Sequence, residues 1–181
     1  MKSSQLTFVR FLIIFAAVFL ICYYGALFIT GLAVPGGLYH PIVEKYFNVA
    51  GWLRSSLIYG TKTFVSFFKI DTIRTSDYIL RIPNGNGIRI VYSCLGFGVM
   101  SFWTAYIVAT VALIKQKIIW LFFGLSIIWL INVIRISMVL IAGKKGWRFL
   151  FGWDHHTWFN IIAYLFIFIL MFLFEKNLRK T

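Results

Sequence analysis

The sequence predicts an all-α membrane protein: four transmembrane helices, an interfacial amphipathic helix and a short β-hairpin, in a single integral membrane domain over 1–181. Three observations predict it. The chain is 61% hydrophobic and only 13% charged, where soluble globular domains hold roughly 45–50% apolar and about 25% charged residues. Four apolar runs approach or exceed the length that crosses a bilayer. Between the first and second of them lies one long segment whose apolar period changes from helical to two.

The first run, 8–30, carries no charge after Arg10 and spans roughly 30 Å at helical rise. An apolar stretch of that length is too long for a cleaved signal peptide, so an uncleaved anchor is expected. The segment 31–93 follows. From His40 to Ile70 it mixes Trp52, Leu53, Leu57, Ile58, Phe64, Phe67 and Phe68 with Lys45, Arg54, Lys62 and Lys69, which suits a helix lying in the interface. From Thr72, Tyr78, Leu80 and Ile82 alternate with Ile79 and Arg81, and Ile88, Ile90 and Tyr92 alternate with Arg89 and Val91. Pro83-Asn84-Gly85-Asn86-Gly87 separates the two halves, so a β-hairpin is expected, leading to Cys94. The second run, 95–114, stops at Lys115-Gln116-Lys117, read as a polar turn, and the third, 118–141, follows at once. The fourth, 158–174, ends in Glu175-Lys176-Asn177-Leu178-Arg179-Lys180. Four spans put both termini on one side of the membrane and 31–93 on the other.

The net charge of +13 raises nucleic acid as a partner. The basic residues are scattered through loops and span ends rather than gathered in a soluble domain, so no nucleic-acid partner is expected and the lipid bilayer is. Charge bias points the other way from the orientation adopted below. The N-terminal flank, the Lys115/Lys117 turn and the C-terminal tail hold fewer basic residues than the opposite side, although most of the latter lie in the long segment exempt from the positive-inside rule. No CxxC or HExxH spacing occurs, and neither metal nor cofactor is expected. Cys22 falls inside the first run and Cys94 at the edge of the second; their depths do not match, so no bridge is expected.

Arg135 stands within the run 118–141, where an ionisable residue is costly unless the protein pairs it or uses it. The five acids are Glu44, Asp71, Asp77, Asp154 and Glu175, none of them inside an apolar run. A structural ion pair or an anchor to carbonyls is the plain alternative to a functional role. Arg135 is six residues before Ile141, roughly 9 Å inside that boundary, and a long guanidinium can snorkel outward. Cys94 and the pair His155-His156 lie at boundaries on the same face. Cys94 sits in Tyr92-Ser93-Cys94-Leu95-Gly96-Phe97-Gly98, between strand and helix, where the N–H groups of a helix start favour a thiolate; a buried, inert cysteine is the alternative. Either histidine could serve as general acid and base, with Asp154 beside them, or be a surface residue. Trp147, Trp153 and Trp158 read as interfacial anchors.

Cys94-Leu95-Gly96 opening one span, Asn132-x-x-Arg135-Ile136 within the next and a histidine opening the last resemble the exosortase/archaeosortase family of membrane-embedded cysteine transpeptidases, over about residues 72–174. Family members commonly have more spans; this would be a minimal four-span form. The family's cysteine motif usually reads Cys-Ser-Gly, and Leu95 stands in the serine's place. The family histidine is typically followed four residues on by glycine; Asn160 and Phe159 stand there for His156 and His155, and the small Asn160 makes His156 the first choice. The resemblance implies that Cys94 attacks a peptide carbonyl to give a thioester, that Arg135 stabilises oxyanion and thiolate, and that His156 or His155 moves the proton. It further implies protein substrates bearing a C-terminal sorting signal, made of a short motif, a transmembrane helix and a basic tail. Cleavage would occur at the exoplasmic face of the plasma membrane, with both termini cytoplasmic. Two rival readings are a non-enzymatic assembly protein of an export or polysaccharide system, and a haem or quinone protein with His155 or His156 as ligand.

Overall fold

A computed structural model describes residues 3–35, 38–145 and 155–179, with the side chains of 3, 4, 144, 145 and 155–160 outside that description. The helices are α1 Ser3–Ala33, α2 Pro41–Phe47, α3 Val49–Ser66, α4 Phe97–Ala109, α5 Ile114–Lys145 and α6 His155–Leu178; the strands, between α3 and α4, are β1 Ile73–Ser76, β2 Ile79–Arg81 and β3 Gly87–Arg89. Three helices are long and apolar enough to cross a membrane: Gln5–Ala33, Ile114–Gly143 and Ile161–Leu178. The expected second span is shorter than its apolar run. α4 has 13 residues, about 20 Å of helix against roughly 30 Å of hydrocarbon.

The chain divides into two compact units. The first comprises residues 1–47, 97–127 and 167–181. Its core is aromatic. Phe11, Phe15, Phe19 and Tyr23 recur every fourth residue on α1, and successive rings stack at 6.1, 6.2 and 5.8 Å. From α4, Phe102 sets its ring against Phe15 at 5.2 Å and Tyr106 against Phe11 at 6.3 Å, both edge to face, the arrangement favoured by ring quadrupoles. Trp103, fully buried, donates its indole N–H to the carbonyls of Trp120 and Leu121 at 3.2 and 3.3 Å. A Cβ at Gly124 would collide with that indole, so glycine is required for α5 to pass so close.

Lys115 and Lys117, read from the sequence as a turn, instead lie in the first turns of α5. The reversal occurs at residues 110–113, and the Lys117 amine donates to the Val108 carbonyl at 2.8 Å. A lysine that satisfies a carbonyl at the end of the preceding helix can remain helical itself. Together with the Trp103 bonds, this contact runs the first part of α5 antiparallel to α4.

The second unit comprises residues 48–96 and 128–166. The amphipathic helix expected over 40–70 is present but divided at Asn48, whose side-chain carbonyl accepts the Gly51 N–H at 2.8 Å and so caps α3. One face of α3 is buried: Ala50, Arg54, Leu57, Ile58, Thr61 and Val65. Gly60 faces α5; a Cβ there would stand 2.8 Å from Val133 and 2.9 Å from Trp129. The Trp129 indole also donates to Ser56 Oγ at 3.1 Å. The expected hairpin is β2–β3, with Ile79 opposite Arg89, Leu80 opposite Ile88 and Arg81 opposite Gly87. A third strand, β1, pairs antiparallel to β2 on its other side. The loop turns through Asn84 at φ 56°, a value asparagine tolerates. From that loop the Asn86 amide donates to the Gly143 carbonyl near the end of α5 at 2.7 Å.

Candidate functional site: the cysteine turn on the arginine helix

Cys94 does not open α4 directly. It ends a single 3-10 turn, Tyr92–Cys94, in which the Cys94 N–H donates to the Val91 carbonyl at 2.9 Å. Leu95 continues the turn, donating to the Tyr92 carbonyl at 3.0 Å, and is fully buried. Gly96 then swings the chain through φ +79° into α4. That left-handed value is open to glycine at little cost and to other residues only under strain. The thiol of Cys94 is free and buried.

Asn132 of α5 holds this turn. Its amide donates to the Leu95 carbonyl at 3.2 Å, with the Asn132 side chain itself buried. The amide lies so close to Gly96 that a Cβ there would overlap it. Gly96 is thus required twice, by its backbone angle and by the approach of Asn132. The bond also meets a need of the backbone, because a buried carbonyl at the end of a turn has no ladder partner.

Arg135 is half-buried on the same helix, three residues after Asn132. Residues three apart share a helix face, separated by about 4.5 Å along the axis. The segment 86–95 is tied to α5 at two points, Asn86 on Gly143 and Leu95 on Asn132, and Arg135 lies between them in the chain. Around it α5 is densely packed, with Val133, Ile136 and Leu140 each 2% exposed and Ser137 fully buried. The Ser137 hydroxyl donates back to the Val133 carbonyl at 2.7 Å. His155 and His156 form the first turn of α6 and belong to the same unit as Cys94 and Arg135. Their side chains lie outside the described residues, as do those of Lys144, Lys145, Trp158 and Asn160, and the whole of Trp147, Arg148, Trp153 and Asp154.

Two features of the site have no role legible in the sequence. Asn132 appears in the sequence only as a motif residue, and its bond to Leu95 joins partners 37 positions apart. Arg54, one of the basic residues mixed into the segment 40–70, is 6% exposed. Its spacing from Ala50, Leu57, Ile58 and Thr61 is the signal that places it on the apolar stripe.

Chemically, the unit gathers a thiol on a fixed turn, a guanidinium one helical turn from the residue that fixes it, and a helix that opens on two histidines. The sequence profile of the transmembrane exosortase family matches residues 2–173. Archaeosortase A of Natronomonas pharaonis is 32% identical over 69 residues, which are 38% of this chain and 22% of that protein. The match therefore spans less than a quarter of the relative's length. No solved structure matches the chain. With nearly all of its length matched by the profile, the chain belongs to the transmembrane exosortase family.

Proposed function

We propose that the protein is a membrane-embedded cysteine transpeptidase that cleaves C-terminal sorting signals of exported proteins through a thioester on Cys94. The observation that carries this reading is the Asn132–Leu95 bond, which fixes the cysteine turn one helical turn from Arg135 in a chain of the exosortase family. In the proposed reaction the Cys94 thiolate attacks the scissile carbonyl. A C–S bond forms, and the carbonyl π electrons move to oxygen. Arg135 donates hydrogen bonds to that oxyanion, where developing charge repays a fixed donor most. As the tetrahedral species collapses the C–N bond breaks, and His156, or His155, gives its proton to the departing amine. The same imidazole then takes a proton from the incoming nucleophile, which attacks the thioester and releases the thiolate.

The reading extends to the membrane. α4, with the residues on either side of it, makes a short fourth pass, so that both termini are cytoplasmic. The chain works as one integral membrane domain of the plasma membrane, with α3, the sheet and the cysteine turn at the exoplasmic face. A half-buried arginine near the end of a 30-residue apolar helix supports this. That helix, about 45 Å long, exceeds the hydrocarbon thickness and carries its last turns toward the surface. Substrates are proteins whose C-terminus carries a short motif, a transmembrane helix and a basic tail.

Co-expression with candidate substrates of that design tests the proposal. The intact enzyme is expected to shorten the substrate, read by mass, and Cys94→Ala at equal abundance to leave it whole. Substrate that stays uncut with the intact enzyme, or processing that persists in Cys94→Ala, rules the reaction out. The second result would favour a non-enzymatic assembly role.

A further inference from the structure

Arg54 is a buried cation outside the thiol, guanidinium and imidazole set. It is 6% exposed, on the face of α3 shared with Leu57, Ile58 and Thr61. Its Nε–H donates to the Ile90 carbonyl at 3.1 Å, and its guanidinium carbon lies 4.2 Å from the centre of the Tyr78 ring. Tyr78 and Ile90 are themselves joined, the Ile90 N–H donating to the Tyr78 carbonyl at 2.7 Å. Arg54 therefore grips both ends of the β2–β3 hairpin at once, one by its edge and the other by its face. Among the described residues the ion pair is Arg74–Asp77, on the exposed surface, and no carboxylate reaches Arg54.

A charged group in an apolar core is a costly way to make one backbone hydrogen bond. What it supplies is direction. A guanidinium can donate along its edge while stacking on its face, which neither lysine nor an aliphatic residue can do. Ile90 is four residues before Cys94, and the intervening chain is closed by the Cys94–Val91 bond. The cysteine turn is thus held from both sides, by Arg54 of α3 ahead of it and by Asn132 of α5 behind it.

We infer that Arg54 is a positioning residue for Cys94: clamped between Ile90 and Tyr78, it fixes the strand end from which the cysteine turn departs. The functional consequence rests on the transpeptidase reading, but the positional claim is tested without substrate. The full-length protein is alkylated with iodoacetamide, and mass spectrometry follows Cys94 and Cys22 separately. Cys22 lies on α1 in the other unit and serves as internal reference.

Arg54→Lys keeps the charge and loses the edge-and-face geometry. Cys94 is expected to label about fivefold faster in it, as a buried thiol reports the opening of its own segment. Cys22 labelling and the thermal unfolding midpoint are expected to match the parent protein. Unchanged Cys94 labelling in folded Arg54→Lys overturns the inference. So does parallel acceleration at both cysteines, which marks general loosening. Should the arginine variant fail to insert, Tyr78→Leu removes the ring and leaves the Ile90 bond; selective acceleration at Cys94 supports the clamp, and none refutes it. An uncut substrate with selective Cys94 acceleration would reject the transpeptidase reading while leaving Arg54 in its role.

Discussion

Gly96→Ala puts the cysteine turn under the most direct strain. The new methyl group must occupy space held by the Asn132 amide, and the backbone must keep φ at +79° or abandon the turn. A non-glycine residue in that region costs roughly 1–2 kcal/mol. Displacing Asn132 breaks its bond to Leu95 and leaves a buried carbonyl without a partner, a further 1–3 kcal/mol or so. The sum is about 2–5 kcal/mol, a large part of a domain's stability if the turn stays put. If the turn moves instead, the strain is relieved by displacing Cys94, and processing falls while the fold survives. The double variant Gly96→Ala/Asn132→Ala separates the contributions. With the amide gone, the methyl group has room, so only the backbone term remains for glycine. The two single costs should then exceed the double by the hydrogen-bond term, about 1–3 kcal/mol, beyond the few tenths expected of independent sites. Unfolding midpoints and processing rates of the four proteins measure this directly. Strict additivity, or a Gly96→Ala protein as stable and active as the parent, would show that Asn132 does not hold the turn.

Three other outcomes are expected. Arg135→Lys should insert normally yet lose processing by about a hundredfold or more, because a point charge replaces a planar pair of donors at the oxyanion; turnover near that of the parent would remove Arg135 from the reaction. Between the histidines, His156→Ala should abolish processing and His155→Ala weaken it at most a few times, and the reverse order in a side-by-side assay would reassign the proton carrier. Gly60→Leu drives a side chain into Trp129 and Val133 and should destabilise by about 1–3 kcal/mol or more through overpacking, seen as a lowered unfolding midpoint; an unchanged midpoint would contradict the close approach of α3 to α5.

The three long helices and the hairpin were legible because each has one dominating cause. Apolar runs of bilayer length dictate α1, α5 and α6, and Asn84-Gly85-Asn86 supplies the backbone freedom a tight reversal needs. The break at Asn48 is not legible, because asparagine in mid-segment looks like an ordinary polar residue until its side chain is seen to cap Gly51. The sequence misplaces the α4–α5 reversal for a related reason. Lysines usually mark a turn, yet Lys117 found a carbonyl to bond, and the true turn holds Val111 and Leu113, exposed at 82% and 64%. At the site, the residue types Cys94 and Arg135 could be picked out by depth and chemistry. The clamps on the turn could not, since Arg54–Ile90 and Asn132–Leu95 join residues 36 and 37 positions apart, and no local pattern records such pairs.

The central claim is that the Cys94 turn rests on α5 beside Arg135. A thiol placed at Arg135 tests it most directly, using Arg135→Cys in a Cys22→Ala background, with Leu130→Cys, exposed on the same helix, for comparison. Under mild oxidation or with a short bis-thiol crosslinker, positions 94 and 135 are expected to join within one chain, in high yield, while 94 and 130 remain separate. Equal crosslinking at both positions, or none at 135 in protein that labels freely at each thiol, would contradict the account.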